Sequence, residues 1–200
     1  MRLIAALSVL LAVCATASAQ TYPGKPVRLV VGFAPGGAAD IVARTVGDPL
    51  GRVLGQSIII DNRPGAGSSM AAELVGRAAP DGYRILIASP SSQSVNPVLS
   101  KYVGYNAERD FAPISKITSS PLVVAVNPGL PVRSIPDLIA EAKRAPARLN
   151  FASSGNGSAP HLAAVLFSSV AGVEMVHVPF KGGAPAVQSV VAGDTQATFA

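Results

Sequence analysis

Phe33-Ala34-Pro35-Gly36-Gly37-Ala38-Ala39-Asp40 lies just after the apolar run Val27-Arg28-Leu29-Val30-Val31 and just before a stretch of helical spacing. An apolar run, a Gly/Pro turn and an amphipathic segment read as strand, tight loop and helix. The same pattern returns at Ser153-Ser154-Gly155-Asn156-Gly157-Ser158-Ala159-Pro160-His161, which follows the strand-like Leu149-Asn150-Phe151-Ala152. A helix that starts in such a loop has unpaired N–H groups and a partial positive charge at its end. It can therefore hold an anion without any arginine. Two such loops, far apart in sequence, would grip one carboxylate from opposite sides. That is an arrangement for binding, not for catalysis.

Working outward, strands are expected over 27–31, 57–60, 83–88, 122–126, 149–152 and 175–178. Helices are expected over 40–54, 69–79, 98–102, 135–144, 159–170 and 184–191. Ser134 and Asp137 read as a capping box. Short strands alternating with helices argue an α/β chain with parallel sheets and flanking helices. Ligands of such sheets bind beyond the carboxyl ends of the strands, where both glycine loops fall. Residues 110–123 are the candidate crossing between two units, 20–118 and 119–200. Asp40 reads as a helix-start carboxylate, Met70 as facing the strand layer, and His177 as a structural residue of an apolar strand.

The first residues point to export. Met1-Arg2 is basic, 3–13 is almost unbroken apolar sequence, and Ala17-Ser18-Ala19 is a small-residue cleavage motif. This reads as a signal peptide over 1–19, too short in its apolar part to be a membrane anchor. Cys14, the chain's one cysteine, would be a lipidation site in an alternative reading, but Val13 is bulkier than such signals want. Removal of the leader leaves no thiol for a disulfide or a metal.

The formal net charge of +5 is dispersed, with Lys143-Arg144 the one adjacent basic pair. No basic stripe with interleaved aromatics is present, so nucleic acid is not an expected partner; an anionic small ligand is. The hydrolase elbow Gly-x-Ser-x-Gly is absent. Gly65-Ala66-Gly67-Ser68-Ser69-Met70 opens like a dinucleotide fingerprint, but Met70 stands where the third glycine is needed. Two isolated histidines make a poor metal set. No enzyme activity, cofactor or metal is expected; an exported α/β enzyme remains the alternative.

Seven segments in order resemble one family. They are Pro23-Gly24-Lys25-Pro26-Val27-Arg28, the 33–40 loop, Asn62-Arg63-Pro64-Gly65-Ala66-Gly67, Ala79-Pro80-Asp81-Gly82-Tyr83, Asp110-Phe111-Ala112-Pro113-Ile114, Ser154-Gly155-Asn156-Gly157 with His161-Leu162, and Val178-Pro179-Phe180-Lys181-Gly182. The chain is similar to the extracytoplasmic substrate-binding proteins of tripartite tricarboxylate transporters, the Bug family. The resemblance implies a two-lobed, type II periplasmic-binding-protein fold. Its ligand is a di- or tricarboxylate, an acidic amino acid or an aromatic acid. The implied setting is the periplasm, with the transporter's membrane subunits as partners and the receptor itself a monomer. It also implies carboxylate contacts from Ala34, Pro35, Gly36 and Gly37 in lobe one and from Ser153, Gly155, Asn156, Gly157 and Ser158 in lobe two.

Further candidates come from position. Ser89 and Ser92 offer hydroxyls at a strand end, His161 faces the second loop from the first turn of its helix, and Lys181 would add charge to the cleft. Departures from the family pattern are Ser68-Ser69-Met70 in place of further glycines and Phe180 in place of a tyrosine. The sequence also stops at Ala200, inside an expected strand. On the resemblance, lobe two and the return to lobe one are incomplete, and the alternative function is a nonfunctional fragment of low stability. If the leader is read correctly, N-terminal sequencing of the exported chain begins at Gln20; a lipidated start at Cys14 would overturn that.

Overall fold

β1 (Val27–Val31) is buried along its length except at Arg28, so both faces of this strand must be covered. The computed structural model, which describes residues 21–100 and 103–200, covers them with helices. The expected leader and Cys14 lie outside the described residues. β1 is the middle strand of a three-stranded sheet, flanked by β2 (Ile58–Asn62) and β3 (Arg84–Ile87), both parallel to it. α1 (Ala38–Leu54) connects β1 to β2 and lays Ala43 and Val46 on Leu29, Val31, Ile58 and Ile60. It ends at Gly55, whose left-handed backbone (φ 67°) lets its N–H close on the carbonyl of Gly51.

α2 (Ser69–Gly76) follows a left-handed turn at residues 66–68 and buries Ala71 and Ala72. Those small side chains take the sheet-facing positions, so Met70 is turned outward and 59% exposed; the expectation that it faces the strands is corrected. After β3 comes one wide turn of helix (Ser91–Val95) and the short α3 (Asn96–Leu99). Residues 112–123 then run exposed and without regular structure to the second sheet.

That sheet has four strands: β4 (Val124–Val126), β5 (Asn150–Ser153), β6 (Val176–Pro179) and β7 (Ala197–Phe199), in the order β4-β7-β5-β6. β5 pairs parallel with β6 and β7, whereas β4 pairs antiparallel with β7. The expectation of parallel sheets fails at this edge. β4 is fed by an extended segment, not by a helix crossing a sheet face, so no right-handed crossover sets its direction. Three helices flank the sheet: α4 (Ile135–Arg144), α5 (Ala159–Ala171) and α6 (Gly183–Ala192). The Ser134 hydroxyl accepts the Asp137 N–H at 3.3 Å, and the Asp137 carboxylate accepts the Arg133 N–H at 3.1 Å. Leu138 and Ala142 of α4 meet Val132, Leu149 and Val173 in one core, while Phe151, Ala164, Ala197 and Phe199 form another under α5. Among the described residues no helix is long and apolar enough to cross a membrane.

Leu138 is 1% exposed, so Leu138→Ala should cost about 2–5 kcal/mol in chemical denaturation. Val170→Ala, at a side chain 81% exposed, should stay within about 0.5 kcal/mol of wild type.

Candidate functional site

The carboxyl ends of β1 and β5 each open into one of the glycine loops. The first is held from below by Asp40, only 2% exposed. One of its oxygens accepts the Gly36 N–H and the Arg44 Nε–H, both at 2.9 Å; the other accepts Asn62 Nδ2 at 3.0 Å. Asn62 Nδ2 also donates to the Phe33 carbonyl at 3.1 Å. The bond from Arg44, helped by those from Gly36 and Asn62, outweighs burial and holds the carboxyl at about 2. Asp40 is thus the knot that joins loop, helix and β2, well beyond a helix-start role.

That knot redistributes the amides expected to bind an anion. Gly36 gives its N–H to Asp40, Pro35 has none, and Ala34 donates to the Lys181 carbonyl at 2.8 Å. Gly37 keeps its amide outside these bonds, at the N-cap of α1, where no side chain caps the helix. A Cβ built on Gly37 would lie 3.5 Å from the Gly183 nitrogen, and one on Gly36 would lie 3.6 Å from the Ala184 Cβ. The loop therefore faces the first turn of α6, whose N-cap, Gly182, likewise lends no side chain. Sequence reasoning named Lys181 here and missed Gly182, Gly183 and Ala184. The paired glycines before a helical pattern were the available signal. Lys181 itself is exposed and meets the first loop through its carbonyl, with its ammonium taking no part in that contact.

The second loop rests on a stack of rings. His161 lies on His177 with centroids 4.0 Å apart, and His177 lies on Phe151 at 4.9 Å. His161 Nδ1 accepts the Gly157 N–H at 3.2 Å, which leaves the neutral ring its proton on Nε2. His177 Nε2 is 2.6 Å from the hydroxyl of the buried Ser153, which also accepts the Gly155 N–H at 3.1 Å. The Ser158 hydroxyl accepts the His161 N–H at 3.4 Å. Burial pushes His161 down, and burial together with the charge of His161 pushes His177 down to about 4. Both rings are neutral at pH 7. Ser153, Gly157 and Ser158 are engaged inside the loop, while Asn156 is exposed at its tip.

Glycines bring the two sheets' loops into contact. A Cβ on Gly155 would lie 3.3 Å from the Gly67 nitrogen, one on Gly67 would run into the Asn156 carbonyl, and one on Gly157 would overlap Asn96 Oδ1. Asn96 Nδ2 in turn donates to the Ala66 carbonyl at 3.0 Å and to Ser69 Oγ at 2.8 Å. The 65–69 turn and Asn96 thus border the site, although neither stood among the sequence candidates. Ser92 is fully buried; its hydroxyl donates to the Ser89 carbonyl at 3.2 Å, and its own carbonyl accepts from the Tyr105 hydroxyl. Ser92 holds a turn, so the expectation of a cleft-facing hydroxyl is corrected. Ser89 lies half-buried at the end of β3, its N–H directed to Ser92 Oγ at 3.3 Å. Among the described residues no group of three or more His, Cys, Asp or Glu is placed to hold a metal.

The family model described as the tripartite tricarboxylate transporter family receptor matches residues 42–200. The chain belongs to this receptor family. It is 38% identical over 174 residues to a UPF0065 protein encoded in the tcbD-tcbE intergenic region of Pseudomonas sp. strain P51, a match covering 87% of this chain and 52% of the relative. Protein BugT of Bordetella pertussis is 35% identical over 196 residues, covering 96% of this chain and 60% of BugT. The receptor chain thus spans between half and two thirds of the length of these relatives. Among solved structures, a periplasmic transporter superposes with a TM-score of 0.86 at 38% identity, covering 90% of this chain and 60% of that one. R. palustris Rpa4515, solved with adipate, gives 0.86 at 36% identity, covering 89% and 60%. MatC from Rhodopseudomonas palustris, with bound malate, gives 0.84 at 30%, covering 88% and 60%. The receptor's two sheets therefore have the two-lobed periplasmic-binding-protein architecture, parallel except at the β4 edge and flanked by helices.

Acid should weaken the receptor in two stages. An unfolded chain protonates His177 near 6.5 and the folded one near 4, so stability falls as pH drops between those values. Asp40 contributes stability above 3.8 that disappears as pH falls through about 2. Thermal melts should show a His177→Gln variant with a flatter decline between pH 6.5 and 4, and an Asp40→Asn variant already weakened at pH 7.

Proposed function

We propose that this chain captures a small carboxylate outside the cytoplasm, between the loops at the strand ends of its two lobes. On this reading it presents the ligand to the membrane subunits of a tripartite tricarboxylate transporter, acting as a monomer and turning nothing over. The supporting observation is the meeting of two helix N-termini. α1 and α6 begin at Gly37 and Gly182, neither is capped by a side chain, and Gly37 packs on Gly183. Each end carries about half a positive charge, so the pair repels when alone and attracts an anion placed between them. Family membership and the adipate and malate seen in the two structural neighbours support a carboxylate as that anion.

In this reading Gly37 and Gly183 give backbone N–H groups to one carboxylate. Asn156 reaches the ligand from the tip of the second loop, and His161 positions that loop through Gly157. No cation is needed beside the anion: Arg44 is engaged by Asp40 and the histidines are neutral. On the same reading the half-buried Ser89 and the exposed Lys181 would meet the far end of a longer ligand.

Isothermal titration with adipate and malate tests this. Wild type should bind at least one of them. Gly183→Pro deletes one N–H at a position where proline suits a helix start, and should weaken binding about tenfold. A Cβ at Gly183 has no atom within 4 Å, so Gly183→Ala should bind as wild type does. Absence of heat with every carboxylate tried would remove the proposal.

A further inference from the structure

Among the described residues, the hydroxyls of Ser68 and Ser168 are fully enclosed and have no hydrogen-bond partner. Ser168 lies within α5, away from the glycine loops. Ser68, 0% exposed, stands where those loops meet. Its Oγ packs against Gly32, the residue between β1 and the first loop, so closely that a Cβ on Gly32 would overlap it. Its neighbour Gly67 is the residue against which Gly155 and Asn156 of the second loop are packed. Ser68 is also the N-cap of α2 but does not cap it: its side chain accepts no bond from that helix.

Two free-energy costs coincide at this residue. A hydroxyl buried without an acceptor forfeits the hydrogen bond it had in water. Ser68 also adopts φ 77°, a left-handed conformation that burdens any residue bearing a Cβ, and Ala66 beside it does the same at 47°. Glycine would avoid both. Such costs persist in native proteins mainly where function repays them. The missing partner is specific in kind: a serine hydroxyl without a partner is a donor seeking an acceptor, and an ionised carboxylate is the strongest acceptor available.

We propose that Ser68 is a ligand-contact residue whose hydroxyl donates to an oxygen of the bound carboxylate. This inference rests on the carboxylate-binding reading above. The ligand's oxygen satisfies a donor that is otherwise buried unpaired. A neutral isostere, such as the amide of the same acid, is a weaker acceptor and gains less from this contact.

The test compares Ser68→Ala and Ser68→Gly with wild type in the full chain, by titration with adipate and malate and by thermal melting without ligand. Ser68→Ala removes the hydroxyl alone; Ser68→Gly removes the hydroxyl and the backbone strain. Both should bind the carboxylate about tenfold more weakly, and Ser68→Gly should melt higher than wild type by a few degrees. Stability and affinity would then move in opposite directions, which a merely structural role does not produce. Wild-type affinity in both variants overturns the inference and leaves the functional reading standing. A wild-type chain that binds no carboxylate overturns both.

Discussion

Two uncapped helix ends that face one another are a standing electrostatic conflict, and much of the rest of the receptor serves to hold them in place. α1 and α6 would separate in water if their loops were free to turn. The bond from Ala34 to the Lys181 carbonyl pins the loops together across the gap. Asp40 does the same within the first lobe, because one carboxylate fixes the Gly36 amide, the root of α1 and the end of β2 together. Rigid amides lose little entropy when an anion arrives, which is how a site built from neutral groups gains affinity. On the proposed reading, the short strands, the glycines and the close sheet–helix packing bring backbone, and not long side chains, up to the ligand.

The charge balance of the site carries a second lesson. A lysine or arginine aimed at the ligand would strengthen attraction but would also attract every passing anion. Here the basic groups near the loops are neutralised or turned outward: Arg44 is paired with Asp40, Lys181 is exposed, and the stacked histidines are kept neutral by burial. On the proposed reading, selection is then left to geometry, to which oxygen meets which donor. The stack of Phe151, His177 and His161 supplies a flat, stiff floor for the second loop while contributing two ring nitrogens that hold it.

What the sequence reveals and what it hides divide along physical lines. Strand–loop–helix order was legible because it depends on local terms, the spacing of apolar residues and the placing of glycines. Most element bounds fall within a residue or two of expectation. β4 begins at Val124, later than expected, and its antiparallel direction depends on a chain path no local pattern encodes. The two glycine loops were legible as loops at strand ends, but which of their amides remain available was not. That outcome was decided by the Asp40 carboxylate at the loop's own end and by the distant Lys181 carbonyl. Ser92 looked like a cleft hydroxyl and proved to be a turn fastener; Met70 looked buried, yet alanines took the inner positions. Gly182 and Gly183 obeyed the same rule as the other loops and were passed over for the charged neighbour.

The strand order of the second sheet has a bearing on how the protein is made. β7, formed by the last few residues described, lies between β4 and β5, and Val123 exchanges both backbone bonds with Ala200. A chain emerging from its N-terminus can assemble the first sheet early, since its strands are near neighbours in sequence. β4 has no partner until residues 197–200 arrive, and until then its edge and that of β5 are open. Closing that sheet therefore joins sequence-distant segments, a slow step whose unpaired edges invite association with other chains.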